Sequence, residues 1–201
     1  MSKVVRRRAG DLAPNLELWA ALENGRILTA ALADFYDEVF ADPKLSHFFK
    51  DVTVERVREK QYNFLYAILT GEPVYFGERP RNGHHWMVIS NELFDYRENM
   101  LARHLENHGV SDEHVQHLRR ISEAFRKQIV KDAPFPKRFG GKELPLEGYE
   151  SVDLAIGSLC DGCGGEMHEG DKAKYHVRTG HTYCQVCMPE GSSEPKVAAT
   201  S

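Results

Sequence analysis

The sequence predicts an all-α domain followed by a small cysteine module, and three observations predict it. From about residue 12 to residue 131 apolar side chains recur at three- and four-residue spacing, with no period-2 segment of any length. The run Asp132-Ala133-Pro134-Phe135-Pro136, then Gly140-Gly141 and Pro145, ends that pattern. All four cysteines of the 201 residues lie beyond the break, between positions 160 and 187. The expected organisation is an N-terminal arm (1–11), a helical domain (12–131), a linker (132–154), a cysteine module (155–190) and a tail (191–201). Gly191-Ser192-Ser193 and Pro195 give the tail a disordered composition.

The first helix is expected over residues 16–23, closed by Asn24-Gly25, a pair suited to a positive-φ helix exit. The second runs over 26–40 with Leu28, Leu32, Phe35, Tyr36, Val39 and Phe40 at helical spacing, and Ala41-Asp42-Pro43 stops it. A short turn follows with the aromatic pair Phe48-Phe49. Thr53 reads as the N-cap of the next helix, with Glu55 and Glu59 near the positive end of its dipole. On it Val57, Gln61, Phe64, Leu65 and Ile68 fall on one face. Gly71, Pro73 and Gly77 break the chain into a loop holding Tyr75, and a short helix is expected over 81–88. Ser90 caps another helix, whose buried stripe includes Leu93, Phe94, Met100, Leu101 and Leu105. Asn107-His108-Gly109 ends it. Ser111-Asp112-Glu113 opens the last helix, with Val115, Leu118, Ile121, Phe125 and Ile129 on its apolar face. About 120 such residues bury roughly two-thirds of the surface of their unfolded chain, enough for a core.

Composition narrows the function classes. The apolar fraction is 41%, the charged fraction 28% and the formal net charge −4, with mixed signs that argue against a general nucleic-acid binder. Arg6-Arg7-Arg8 reads as a solvated arm. No apolar stretch approaches the ~20 residues that span a bilayer, and no apolar core follows the N-terminal charges as in a secretory signal. A reducing cytoplasm is the expected setting.

Three polar residues sit on otherwise apolar stripes: Tyr36, Gln61 and His84. Burying a polar group costs several kcal/mol unless it finds a partner. Each has an ordinary reading: a core tyrosine bonded to a carbonyl, a glutamine at a stripe edge, a satisfied histidine with His85 beside it. Together they suggest a shared cavity whose occupant supplies partners.

The succession Phe35-Tyr36, Phe48-Phe49, Gln61 with Phe64, Gly71…Tyr75…Gly77, then His84 and Ile89-Ser90, resembles the truncated haemoglobins, group I in particular. The spacing is similar from Phe35 to Val110 and more loosely to about Val130. The resemblance implies the truncated globin fold, a 2-over-2 helical sandwich, holding one haem b. It implies His84 as the proximal iron ligand, with its Nδ1–H donating to a carbonyl. It places Tyr36, Gln61 and Val57 in the distal pocket, the first two as donors to bound dioxygen. Phe35, Phe48, Phe49, Lys60, Phe64 and Tyr75 become haem-pocket residues, Phe49 as the family's phenylalanine and Lys60 toward a propionate. The chain departs from the family at Asn24-Gly25 and Thr70-Gly71, where glycine pairs are usual. Arg97, on the buried stripe of its helix, either reaches a propionate or snorkels.

Cys160-x2-Cys163-x20-Cys184-x2-Cys187 has the spacing of a structural zinc site, and a module of ~35 residues supports little core without one. Gly162, Gly164 and Gly165 suit the knuckle turn. Two disulfides are the alternative, and a Cys3His set of Cys160, Cys163, His181 and Cys184 is also ligand-spaced. The module resembles a zinc ribbon. The expected function is reversible binding of O2 and other diatomics such as NO and CO, with oxidation of NO to nitrate fed by an external electron donor. The alternative is a haem-based gas or redox sensor acting through the zinc module on a protein or nucleic-acid partner.

Overall fold

The computed structural model describes residues 12–74, 78–139, 142–154 and 157–188. The expected arm and tail and Tyr75 fall outside these residues. The chain divides into two compact units, the first formed by Met1–Arg81 and Val88–Asp132, the second by Asn82–Met87 and Ala133–Ser201. Among the described residues no helix is long and apolar enough to cross a membrane.

The first unit is helical. Helix α1 (Leu16–Ala21) is capped by Asn15, whose side chain accepts from Leu18 N–H. Glu23, Asn24 and Gly25 then take successive positive φ angles of 50°, 52° and 94°, which turns the chain into α2 (Arg26–Ala41). Gly25 is required twice over, because a Cβ there would lie 2.3 Å from Tyr62 Oη and 2.5 Å from the Trp19 ring. A 3-10 turn (Ser46–Phe49) leads to α3 (Val54–Thr70), with Thr53 accepting from Arg56 N–H at its start and Gly71 left-handed at its end. Helix α4 (Pro80–Gly83) closes the first part of this region. Ser90 caps α5 (Asn91–Asn107) by accepting from Leu93 N–H, and α6 (Asp112–Glu123) and α7 (Arg126–Ile129) follow.

Helix α2 packs against α3 and α5, α5 against α6, and α1 against α3. Leu18, Leu22, Leu28, Leu32, Phe35, Val39, Leu69, Leu105, Val115 and Ile121 are fully buried in this core. Polar ties run along the α2–α5 contact: Glu38 accepts from Arg103 at 2.6 Å and pairs with His104 at 2.7 Å, and Asp34 pairs with His108 at 2.8 Å.

Three expectations change. The last helix is two, α6 and α7; the break lets Phe125 reach Phe64, ring centroids 5.4 Å apart, and sets the Arg126 guanidinium 4.2 Å over the Phe94 ring. The helix expected over 81–88 is a single turn, Pro80–Gly83, so His84 sits in the turn after it rather than on a helix. Its backbone is needed elsewhere, since His85 O accepts from Phe135 N–H at 3.0 Å. The linker expected over 132–154 carries strands β1 (Arg138–Phe139), β2 (Lys142–Glu143) and β3 (Tyr149–Asp153).

In the second unit β4 (Ser158–Leu159) pairs with β5 (Glu166–Met167), and β6 (Lys172–His176) pairs with both β3 and β7 (Thr182–Tyr183), all antiparallel. The β3–β6 register runs from Tyr149↔His176 to Asp153↔Lys172. Its core is small: Cys160, Met167 and Ala173, with Val152 and Leu154 packed against them.

Gly25→Ala is expected to lower the unfolding free energy by about 2–4 kcal/mol, combining left-handed strain with overpacking. Gly109, also at positive φ but with open space around it, is the control: Gly109→Ala costs only the strain, about 1–2 kcal/mol. Urea denaturation of the two variants measures the difference.

Candidate functional site

Helix α2 places Phe35 and Tyr36 side by side, 0% and 4% exposed, with ring centroids 4.8 Å apart. Facing them, α3 presents Gln61 and α5 presents Arg97 and Glu98. Tyr36 Oη donates to Gln61 Oε1 at 3.4 Å, and Arg97 Nη2 donates to the same oxygen at 3.4 Å. Arg97 also forms an ion pair with Glu98, whose side chain is only 6% exposed, and its guanidinium lies 4.8 Å over the Phe35 ring. Phe49 stands edge-on to Tyr36 at 6.2 Å and packs with Phe40 at 4.8 Å.

The electrostatics keep every member in its donor form. Burial pushes the Tyr36 phenol above its ordinary range, so the hydroxyl retains its proton. Burial works against the Arg97 charge, but the Glu98 carboxylate and the Tyr36 hydroxyl outweigh it and raise its pKa. Both donations to Gln61 are long for hydrogen bonds, so a ligand offering a shorter acceptor can displace them at little cost.

Of the other expected pocket residues, Val57 and Phe64 are half-buried and pack against the core of the first unit. Phe48 is buried and Lys60 half-buried; Tyr75 lies outside the described residues. His84 is half-buried in its turn, whereas His85 is fully buried. Each ring nitrogen of His85 faces a backbone carbonyl at 3.3 Å, Nδ1 that of Phe135 and Nε2 that of Val177. Neither nitrogen of His85 is aimed to bind a metal. Sequence reasoning missed Glu98; the signal was its position beside Arg97 on the buried side of α5.

The cysteine cluster is in the second unit. All four cysteines are free thiols, and the sulfurs of Cys160, Cys163, Cys184 and Cys187 lie within 4.8 Å of one another. A tetrahedral zinc thiolate site has sulfurs about 3.8 Å apart, so a small contraction around an ion completes it. His181 is not in the cluster; its Nδ1 lies 3.1 Å from Tyr183 Oη. Backbone N–H groups of Gly162 and Cys184 donate to Cys160 Sγ at 3.4 and 3.3 Å. Burial pushes the Cys160 thiol up, but the N–H groups of Cys184, Cys163 and Gly162 bring it down to about 6. Cys163 and Cys184, hydrogen-bonded beside it, push Cys187 up to about 12. Four sulfurs gathered without a cation resist full ionisation, and a divalent ion removes that conflict. A Cβ at Gly162 would come within 2.8 Å of Cys187 Cβ, so the knuckle admits only glycine there.

In this helical unit buried Tyr36 meets half-buried Gln61 across α2 and α3. The sequence model of the bacterial-like globin family matches residues 24–131. A group 1 truncated hemoglobin of Tetrahymena thermophila is 34% identical over 101 residues, which is 50% of this chain and 84% of that protein. The crystal structure of the Tetrahymena pyriformis truncated hemoglobin in its Fe(III) form is similar at a TM-score of 0.53 and 29% identity, covering 57% of this chain and 98% of that one. The 2/2 hemoglobin of Synechococcus sp. shares the fold at a TM-score of 0.51 and 22% identity, over 56% of this chain and 97% of that one. The chain belongs to the bacterial-like globin family, among relatives that are group 1 truncated haemoglobins. Membership implies haem as cofactor and a diatomic gas as ligand.

The four-cysteine cluster is expected to take up one divalent zinc per chain, read by metal analysis after dialysis. Gly162→Ala is expected to weaken zinc retention by about tenfold or more in competition with a chromophoric chelator, because the added methyl group displaces Cys187.

Proposed function

We propose that the chain is a haem b protein that binds O2 reversibly and converts NO to nitrate, with His84 as the proximal ligand. The observation that carries this is buried Tyr36 hydrogen-bonded to half-buried Gln61 on adjacent helices of a globin. The residues fit the cofactor. A half-buried imidazole at His84 suits iron ligation while His85 is committed to carbonyls, and Phe35, Phe48, Phe49 and Phe64 supply apolar and aromatic surface suited to a macrocycle. Val57 adds an apolar side chain on the distal helix. Lys60 is the candidate for a propionate.

The cofactor supplies reversible diatomic ligation and a one-electron redox step. The chain's own residues decide how long a ligand stays. Tyr36 donates its phenolic proton, fixed in place by the raised pKa. The Gln61 amide, with its oxygen turned toward Tyr36 and Arg97, has its N–H groups to offer a ligand carrying negative charge. Arg97 and Glu98 hold that amide in orientation. In the overall reaction NO, O2 and one electron give nitrate, and the electron comes from a reductase-type donor separate from this chain. The cysteine cluster is read as a structural zinc site, since four protein ligands leave no open position.

Haem reconstitution is expected to give a Soret band in the wild type that His84→Ala loses or shifts. A wild-type chain without that band would overturn the proposal. Tyr36→Phe is expected to speed O2 dissociation by about fivefold to tenfold and CO dissociation by less than about twofold, as befits loss of one hydrogen bond to a charged ligand. Stopped-flow ligand replacement measures both rates, and nitrate formed on mixing the O2-loaded chain with NO checks the reaction.

A further inference from the structure

We infer that the cysteine-bearing unit is a positioning device for the proximal histidine, so that metal occupancy at Cys160, Cys163, Cys184 and Cys187 sets how firmly His84 is presented to the iron. This rests on the reading of His84 as the iron ligand. In sequence, residues 82–87 fall within the stretch matched by the globin family, from the end of α4 to the turn before α5. In the fold they belong to the unit that carries the cysteines.

The grip on this segment is built from both sides. On one side Phe135 N–H donates to His85 O at 3.0 Å while Phe135 O faces His85 Nδ1 at 3.3 Å. On the other, Val177 O faces His85 Nε2 at 3.3 Å, and the Arg178 guanidinium lies 5.2 Å over the Trp86 ring. Thus His84 is followed directly by two residues whose side chains are clamped. His85 is fully buried, so its clamp cannot loosen without desolvated groups losing their partners.

The clamp leads back to the cysteines through short, hydrogen-bonded steps. Val177 and Arg178 are the first two residues of the turn that follows β6. Val177 N–H donates to Gly148 O at 2.9 Å, and Val177 O also accepts from the buried Lys137 Nζ at 2.7 Å. Strand β6 pairs with β7 through Lys174↔Tyr183 and Tyr175↔Thr182, and β7 runs straight into Cys184. Thr182 and Asp161 are doubly tied: Asp161 N–H donates to Thr182 O at 2.9 Å, and Thr182 N–H to Asp161 Oδ2 at 2.7 Å. Asp161 is the residue after Cys160. Each cysteine knuckle is therefore one strand away from the His85 clamp. The buried apolar side chains of this unit include Met167, Ala173 and Val177, and closure of the four thiolates around a metal ion adds order to a unit of this size. Order at 82–87 follows from it. Second-layer groups that orient a ligating histidine tune metal affinity by about 10–100-fold, and the His85 and Trp86 clamps hold that role here.

The test uses the full chain with thiols kept reduced, zinc-loaded or zinc-stripped by a chelator, zinc content being measured in each sample. Amide hydrogen exchange at residues 82–87 is followed without haem. The Fe–His stretching band of the ferrous form and the rate of haem transfer to an excess apoglobin acceptor are followed with haem. Zinc removal is expected to raise exchange at 82–87 and to speed haem loss, each by about tenfold or more, and to shift or broaden the Fe–His band. Arg178→Gln, with its zinc content unchanged, is expected to move the same band in the same direction by a smaller amount. It separates positioning from collapse of the unit. Unchanged exchange at 82–87, or an unchanged Fe–His band, after verified zinc loss would overturn the inference. His84→Gly keeping the wild-type Fe–His band would instead overturn the ligand assignment, an outcome the exchange measurement does not touch.

Discussion

The first unit depends on the pairing of half-buried Arg97 with buried Glu98 beside Tyr36. Adjacent residues on a helix do not face each other, so this pair closes only because the long arginine arm bends back across the aromatic face of Phe35. Two charges taken out of water recover little net stability from each other. What they do impose is register. If α5 slid one turn along α2, Glu98 would be buried opposite apolar side chains and Gln61 would lose Arg97 as a donor. The pair therefore fixes which residues of α2, α3 and α5 look at one another. Tyr36 and Gln61 are held in place by an interaction that neither of them makes alone.

This accounts for how much of the site was legible in the sequence. Helix starts with local caps were readable, because Thr53 and Ser90 bond their own first turns. So were the exits at Gly25 and Gly71, where positive φ excludes most side chains. Tyr36 and Gln61 were legible as breaks in apolar stripes, and the four cysteines as spacing. Glu98 was not, since an acid beside an arginine reads as a solvated pair until the fold closes over it. The turn at His84 was illegible for a related reason. Local signals after Pro80 allow a longer helix, and it is Phe135 and Val177, about fifty and ninety residues further on, that fix the backbone and ring of His85. Strand β3 hid in the same way: five residues of mixed polarity gain their identity from pairing with β6.

The second unit shows what replaces a core when a core is too small to form. Cys160, Met167, Ala173 and Val177 are among its buried side chains. On the reading of the cysteine cluster as a zinc site, ligation contributes folding free energy on the order of 10 kcal/mol in small modules. Stability concentrated at one point behaves differently from stability spread over a core. It is present while the ion is bound and largely lost when the ion leaves, so every segment ordered by the unit shares one switch-like dependence.

Residues 82–87 are the segment for which that dependence has consequences beyond the unit. In a one-unit globin the turn before α5 would be ordered by the helices around it, and its order would rise and fall with the globin core. Here Phe135, Val177 and Arg178 hold it instead, residues of the unit that also gathers the four cysteines. On the proposed coupling, Tyr36 and Gln61, held by Arg97, are insensitive to the metal while the histidine turn is sensitive to it. A fused module that only added bulk would have no reason to contribute the partners of His85 and Trp86. The residues that do so, bonded to His85 and Trp86 from both sides, tie 82–87 to the unit that carries the cysteines.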